Sequence, residues 1–142
     1  MTPEASRFLE KAQKLLEHAD TMLGVGLNDD AGRTAYLAGF HAAQALIFER
    51  TGKMPKTHKG VQMDFFRLTK NDPHVDPDLR IFLSQAYNLK AIADYETGPG
   101  FEVSPERAQE AVETGKRFVT HLAGLITTPP NPTPRRNSGV TP

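Results

Sequence analysis

AYLAGFHAAQALIFERTGKMPKTHKGV, residues Ala35 to Val61, decides the fold. Its first part belongs to a helix predicted from about Asn28 to Arg50, with Asn28 or Asp29 as the cap. The composition of that helix is unusual: Ala31, Gly32, Ala35, Ala38, Gly39, Ala42, Ala43 and Ala45 crowd it with small side chains. A glycine inside a helix costs about 1 kcal/mol relative to alanine. Gly32 and Gly39 are seven residues apart and so lie near one face. Close approach of another backbone there, from the same chain or from a second copy, would compensate. Thr51-Gly52 ends the helix, and Lys53 to Lys59 form a loop centred on Pro55. A short helix is predicted from about His58 to Leu68, capped by Thr57 and anchored by Val61, Phe65, Phe66 and Leu68.

The flanking sequence reads the same way. Thr2 caps a helix from about Pro3 to Leu23, with Pro3 at its first position. Phe8, Leu9, Ala12, Leu15, Leu16, Ala19, Met22 and Leu23 recur along it at helical spacing. Gly24 and Gly26 stop it. After a turn-rich connector, Asn71 to Pro77, the Asp76-Pro77 pair opens a fourth helix that continues to TGPG, Thr97 to Gly100. Ser104-Pro105-Glu106 opens a fifth, whose stripe ends at Leu125 and Ile126. These features predict an all-α antiparallel bundle of four or five helices over residues 1–126. From Thr127 the sequence is TTPPNPTPRRNSGVTP, with five prolines and one aliphatic residue. Such a segment buries too little apolar surface to order, so 127–142 is expected to be a disordered Pro-rich tail.

Composition narrows the function. A chain of 142 residues with 38 % hydrophobic and 24 % charged content is sized for one globular domain. Lys+Arg and Asp+Glu each number 17, so no global basic field holds nucleic acid, although a local patch can. The absence of cysteine excludes disulfides, zinc–thiolate sites and thiol nucleophiles. No apolar run approaches the roughly 20 residues that span a bilayer, and the N-terminus has no apolar signal core. A soluble cytoplasmic protein is expected.

No Walker-type loop, His-Glu-x-x-His pair or paired Glu-x-x-His motif is present, so neither a metal nor a cofactor is expected. The chemistry then rests on a few polar residues. His41 lies inside the small-residue helix, two turns after Arg33. By helical geometry the two stand roughly 12 Å apart along the axis and about 80° apart in angle. His41 suits acid/base work or phosphate binding, or else a buried hydrogen bond. Lys56, Thr57, His58 and Lys59 combine two cations, an imidazole and a capping hydroxyl at a helix start, which suits an anion such as the phosphate of RNA or a nucleotide. Lys53 and Arg50 extend the positive patch. Lys90 and Asp94 are one turn apart beside Tyr95. Exposed, they form a weak ion pair; turned inward, they line a polar cleft with His41. His18, His74 and His121 read as surface residues.

YLAGFHAAQAL at Tyr36 to Leu46, PKTHKGV at Pro55 to Val61 and LKAIADY at Leu89 to Tyr95 together resemble one branch of the HEPN domains. The resemblance spans about Pro3 to Ile126. It implies a bundle of four or five helices, homodimerisation, and pairing with a minimal nucleotidyltransferase as toxin and antitoxin. Active members are metal-independent ribonucleases whose signature is an Arg and a following His with about four to six residues between them. Arg33 to His41 and Arg50 to His58 exceed that spacing by one residue, and Arg117 to His121 falls short. Arg67 to His74 fits by count, with His74 in the connector. In LKAIADY, Lys90 stands where Arg is expected, and Asp94-Tyr95 where a His would come.

The combined expectation is the HEPN half of a toxin–antitoxin-like pair with a nucleotidyltransferase, binding RNA, a nucleotide or a partner protein. Lys56, Thr57, His58 and Lys59 would hold phosphate, and His41, Lys90, Asp94 and Tyr95 would line the cleft. The alternatives are a metal-independent HEPN ribonuclease, with His41, His58 and Arg33 as catalytic candidates, and a non-catalytic structural adaptor.

Overall fold

The computed structural model describes residues 1–98, 100 and 102–127. Six helices follow in order: α1 (Pro3–Gly24), α2 (Asn28–Thr51), α3 (His58–Thr69), α4 (Pro77–Arg80), α5 (Phe82–Tyr95) and α6 (Pro105–Thr127). The all-α class read from the sequence is what the structure has. The Pro-rich tail expected over 127–142 lies outside the described residues, except Thr127, which closes α6.

Local signals set most boundaries. The Thr2 hydroxyl accepts the Ala5 N–H at 3.1 Å, and Pro3 takes the first helical position of α1. Gly52 ends α2 with φ 72°, a left-handed turn that suits glycine, and donates its N–H to the Phe48 carbonyl at 2.8 Å. Ser104 caps α6 by accepting the Arg107 N–H at 3.1 Å.

The start of α2 departs from expectation. Its N-cap is Leu27, with no capping side chain. The Asp29 carboxylate instead accepts the Val103 N–H at 2.7 Å, which ties the segment before α6 to the first turn of α2. The single fourth helix expected from Asp76 is also corrected. It breaks at Ile81 (φ −94°, ψ −3°) into the short α4 and the longer α5. The Arg80 guanidinium donates to the carbonyls of Thr69, Asp72 and Val75 at 3.1, 3.2 and 3.0 Å. This clamp fixes α4 to the preceding connector, so α5 sets off afresh.

α2 is the centre of the molecule and packs against α1, α3, α5 and α6. Fourteen of its 24 residues are buried. A helix buried nearly all round has no amphipathic stripe. Its alanines let four neighbours approach, and the large core side chains come mainly from those neighbours. Phe118 of α6, for example, packs its ring 5.2 Å from Phe65 and 5.0 Å from Phe82.

The two glycines of α2 serve this packing inside one protomer. A Cβ on Gly39 would stand 2.5 Å from Cε2 of Phe82, and one on Gly32 would stand 3.3 Å from Cδ1 of Leu89. Both neighbours belong to α5. The small-residue face is therefore occupied by α5 and is not an open seam for a second copy. Gly39→Ala is expected to destabilise the protein by about 2 kcal/mol, because the Phe82 ring is held by Phe118 and has little room to shift. Gly32→Ala should be within about 1 kcal/mol of neutral, since helix propensity offsets a small shift of a flexible leucine. Urea unfolding of the two variants checks the contrast.

Candidate functional site

Helical spacing builds a cluster of polar and aromatic side chains between α2 and α5. Arg33, Tyr36 and Phe40 follow one another at three and four residues on α2, so they share a face. Tyr87, Lys90 and Asp94 do the same on α5. The two stripes meet, and His58 at the first position of α3 covers one end. The His58 ring lies 4.8 Å from Phe40, 5.5 Å from Tyr87 and 5.6 Å from Tyr36, centroid to centroid.

The PKTHKG turn places that histidine. The Thr57 hydroxyl accepts the Gly60 N–H at 2.9 Å and starts α3. Residue 60 is glycine because a Cβ there would come within 2.8 Å of the Thr57 hydroxyl oxygen and 3.2 Å of Pro55. Pro55 is also held from α2, where the Gln44 amide donates to its carbonyl at 3.5 Å. Lys56 and Lys59 point outward and are exposed, whereas His58 turns inward.

The hydrogen bonding of His58 defines what it can do. Tyr36 Oη and His58 Nδ1 are 2.8 Å apart. Burial pushes the Tyr36 phenol up to about 12, a shift the Gln62 amide opposes by hydrogen bonding to it. The phenol therefore keeps its proton, and we take it as the donor to Nδ1. This assignment, inferred from the network, leaves the ring's single N–H proton on Nε2. Burial also lowers the His58 pKa, and the nearby Lys90 charge lowers it further against the pull of Asp94. His58 is then a neutral ring presenting one N–H donor. It becomes a proton acceptor only by giving up Tyr36.

The far end of the cleft is ionic. Asp94 receives Lys90 Nζ at 2.7 Å on one oxygen and Arg33 Nε at 2.7 Å on the other. Lys90 is only 8 % exposed, so the inward arrangement anticipated for the Lys90–Asp94 pair is the one that forms. The hydrogen bond from Lys90 is the main cause holding the Asp94 carboxyl below its usual value, and the same bond raises Lys90. Lys90 Nζ also lies 5.3 Å from the Tyr95 ring centre and 5.9 Å from that of Tyr87. Two cations against one carboxylate leave the cleft net positive.

His41 is not part of this cleft. Its Nδ1 is 2.8 Å from Oε1 of Gln44, its ring stacks on Phe8 at 6.3 Å, and Phe40 separates it from His58. Burial is the main cause lowering its pKa. The structure thus keeps Arg33 and His41 apart: Arg33 is committed to Asp94, and His41 faces α1. Of the four residues expected to line a cleft, Lys90, Asp94 and Tyr95 lie together with Arg33 and Tyr87, near the Tyr36–His58 pair, and His41 lies apart. His121 corrects the surface assignment, since it is half-buried with Nε2 unpartnered among the described residues. His18 and His74 are exposed, and His74 Nδ1 meets Asp72 at 3.1 Å. Among the described residues, no group of three or more His, Asp or Glu is gathered to hold a metal ion. None of the described helices is long and apolar enough to cross a membrane.

A small-residue central helix, an aromatic–histidine cluster and an Asp-bridged cationic pair define a helical-bundle domain with polar side chains gathered between its second and penultimate helices. The family model for the HEPN domain matches residues 5–125, and the chain belongs to the HEPN family. A UPF0332 protein of Archaeoglobus fulgidus is 32 % identical, with 83 % of this chain and 91 % of that one covered. Two Methanocaldococcus jannaschii proteins named as candidate toxins are 28 % and 29 % identical, covering 82 % and 84 % of this chain and 77 % and 86 % of theirs. The crystal structure of TT1696 from Thermus thermophilus shares the fold, with a TM-score of 0.74 at 23 % identity over 87 % of this chain and 98 % of that one.

Two predictions follow from the electrostatics. Asp94→Asn should cost about 2 kcal/mol, because it weakens a charge-assisted bond to a buried ammonium. Adding Lys90→Met should recover much of that loss, read as a double-mutant cycle in urea. The second concerns pH. His41 and His58 ionise at 6.5 when unfolded and lower when folded, so their contribution to stability is complete above pH 6.5 and is lost as pH falls through the folded values. His41→Gln should then lose less thermal stability than the parent chain between about pH 7 and about pH 5.

Proposed function

We propose that this chain is the HEPN half of a toxin–antitoxin-like pair with a nucleotidyltransferase. It acts as a homodimer whose cleft and basic turn bind the phosphate of RNA or a nucleotide. The candidate-toxin names of the two Methanocaldococcus relatives support the toxin-like role. One observation carries the binding reading: Tyr36 Oη lies 2.8 Å from His58 Nδ1, and with the phenol as donor His58 keeps its proton on Nε2 as a donor beside Lys90 and Arg33. Donors and excess positive charge suit an anionic oxygen. Lys56 and Lys59, exposed on either side of Thr57 and His58, would hold neighbouring phosphates, while Lys90 and Arg33, bridged by Asp94, would bias the cleft electrostatically.

The metal-independent ribonuclease is the second reading, and His41 favours it. With Nδ1–H donated to Gln44, its Nε2 is an unprotonated nitrogen of the kind a general base needs. Arg33 is not placed to help it, which is why binding ranks first. The experiment pairs both readings. A labelled single-stranded RNA is titrated in chelator, and cleavage is followed in the same tubes. Lys56→Gln with Lys59→Gln should weaken binding and lower the slope of log affinity against log salt by about 1 per lost contact. His58→Ala should weaken binding at all salt concentrations. Unchanged binding in all these variants would reject the phosphate site. Cleavage lost only in His41→Ala would make the protein a ribonuclease with His41 as its base.

A further inference from the structure

Three of the most exposed large apolar side chains share one groove: Met63 at 61 %, Phe66 at 54 % and Ile81 at 46 % exposure. The groove runs between α3 and the α4–α5 junction and encloses about 590 Å³. The break at Ile81 creates it. A regular helix through that position would continue α4 into α5, whereas the Arg80 clamp stops α4 and leaves Ile81 on the surface opposite Phe66. The three side chains are gathered in one groove and not scattered singly over the surface.

The rim decides which partner. Asp64 pairs with Arg67 at 3.3 Å, so those charges cancel. Lys70 forms no ion pair among the described residues, and the Arg80 guanidinium is held by carbonyls rather than a carboxylate. The groove is therefore apolar in its middle and net cationic at its edge. A second copy docked face to face about a two-fold axis would set these cations against one another. Residues 128–142 contain Arg135 and Arg136 and no Asp or Glu, so they too would add like charge. Neither supplies the carboxylates the rim lacks.

We infer that the groove is a docking surface for an amphipathic segment of a different protein. Its large apolar side chains fill the space between Met63, Phe66 and Ile81, and its flanking carboxylates meet Lys70 and Arg80. This is helix-in-groove recognition, with apolar anchors for affinity and acidic flanks for selection. Neither His58 nor Asp94 lines the groove, so the inference does not depend on the phosphate reading.

The chain has no tryptophan, so a single Trp in a synthetic peptide reports binding by its own fluorescence. Three peptides are titrated into the full chain: a helix-forming one with Leu and Trp on one face and Glu on its flanks, the same peptide with Lys for Glu, and residues 128–142 with an added Trp. The Glu peptide should bind at least tenfold more tightly than the Lys peptide. That affinity should fall at least tenfold in Phe66→Ala and in Met63→Ala, and several-fold in Lys70→Glu or in high salt. RNA binding by Phe66→Ala should be unchanged, which separates failure here from failure of the phosphate site. Equal binding of the Glu and Lys peptides, or binding of neither, would overturn the proposal. Preference for the 128–142 peptide would assign the groove to the chain itself. A dimer in sedimentation that Phe66→Glu converts to monomer would assign it to a second copy.

Discussion

α2 must be thin. Four other helices pack around it, and they reach it because its core positions are mostly alanine and glycine. A leucine-rich helix in that place would push α1, α3, α5 and α6 outward and open voids between them, and interiors do not tolerate voids at normal packing density. The Phe82 ring seated over Gly39 shows how little clearance is left. The exceptions on α2 are therefore informative. Tyr36 and Phe40 are large because they face His58 and Tyr87, and Arg33 is charged because it faces Asp94.

The cleft is held by two kinds of bond with different tolerances. At one end a neutral pair, Tyr36 and His58, fixes the orientation and protonation of a ring. At the other, Asp94 accepts from two cations and makes the burial of Lys90 affordable. Removing either cation leaves the carboxylate with one partner, whereas removing the carboxylate leaves two cations facing each other. That asymmetry makes Asp94 the most sensitive residue of the site, although it is the smallest charged one.

Much of this was legible in the sequence. Pro3, Gly52, Thr57, Pro77 and Pro105 mark helix ends because their backbone chemistry acts locally. The HEPN resemblance rested on three segments that prove to be adjacent: the α2 face, the turn before α3 and the end of α5. The break at Ile81 was not legible, since no Gly or Pro marks it and its cause is a side chain clamped to carbonyls up to eleven residues away. Asp29 likewise looked like a cap because proximity to α6 has no local signature. The cleft was half legible. Lys90, Asp94 and Tyr95 were drawn from one segment, while Tyr36 and Tyr87 were not singled out. The spacing of Arg33, Tyr36 and Phe40 against Tyr87, Lys90 and Asp94 was the available signal, two matching stripes of polar and aromatic residues. His41 was misplaced in the cleft because a single-helix reading cannot tell which neighbour a given face will meet.

The connection from α5 to α6 leaves and returns to the same helix. It departs just after Asp94, which is bonded to Arg33, and is caught again at Val103, which is bonded to Asp29. Both anchors sit in the first two turns of α2. The intervening chain is thus a loop whose ends are fixed by the protein and not by its own length. Closing such a loop costs only about 0.6 kcal/mol more for each doubling of its length. Residues can therefore be added or removed there in evolution while Asp94 and Arg33 stay where they are.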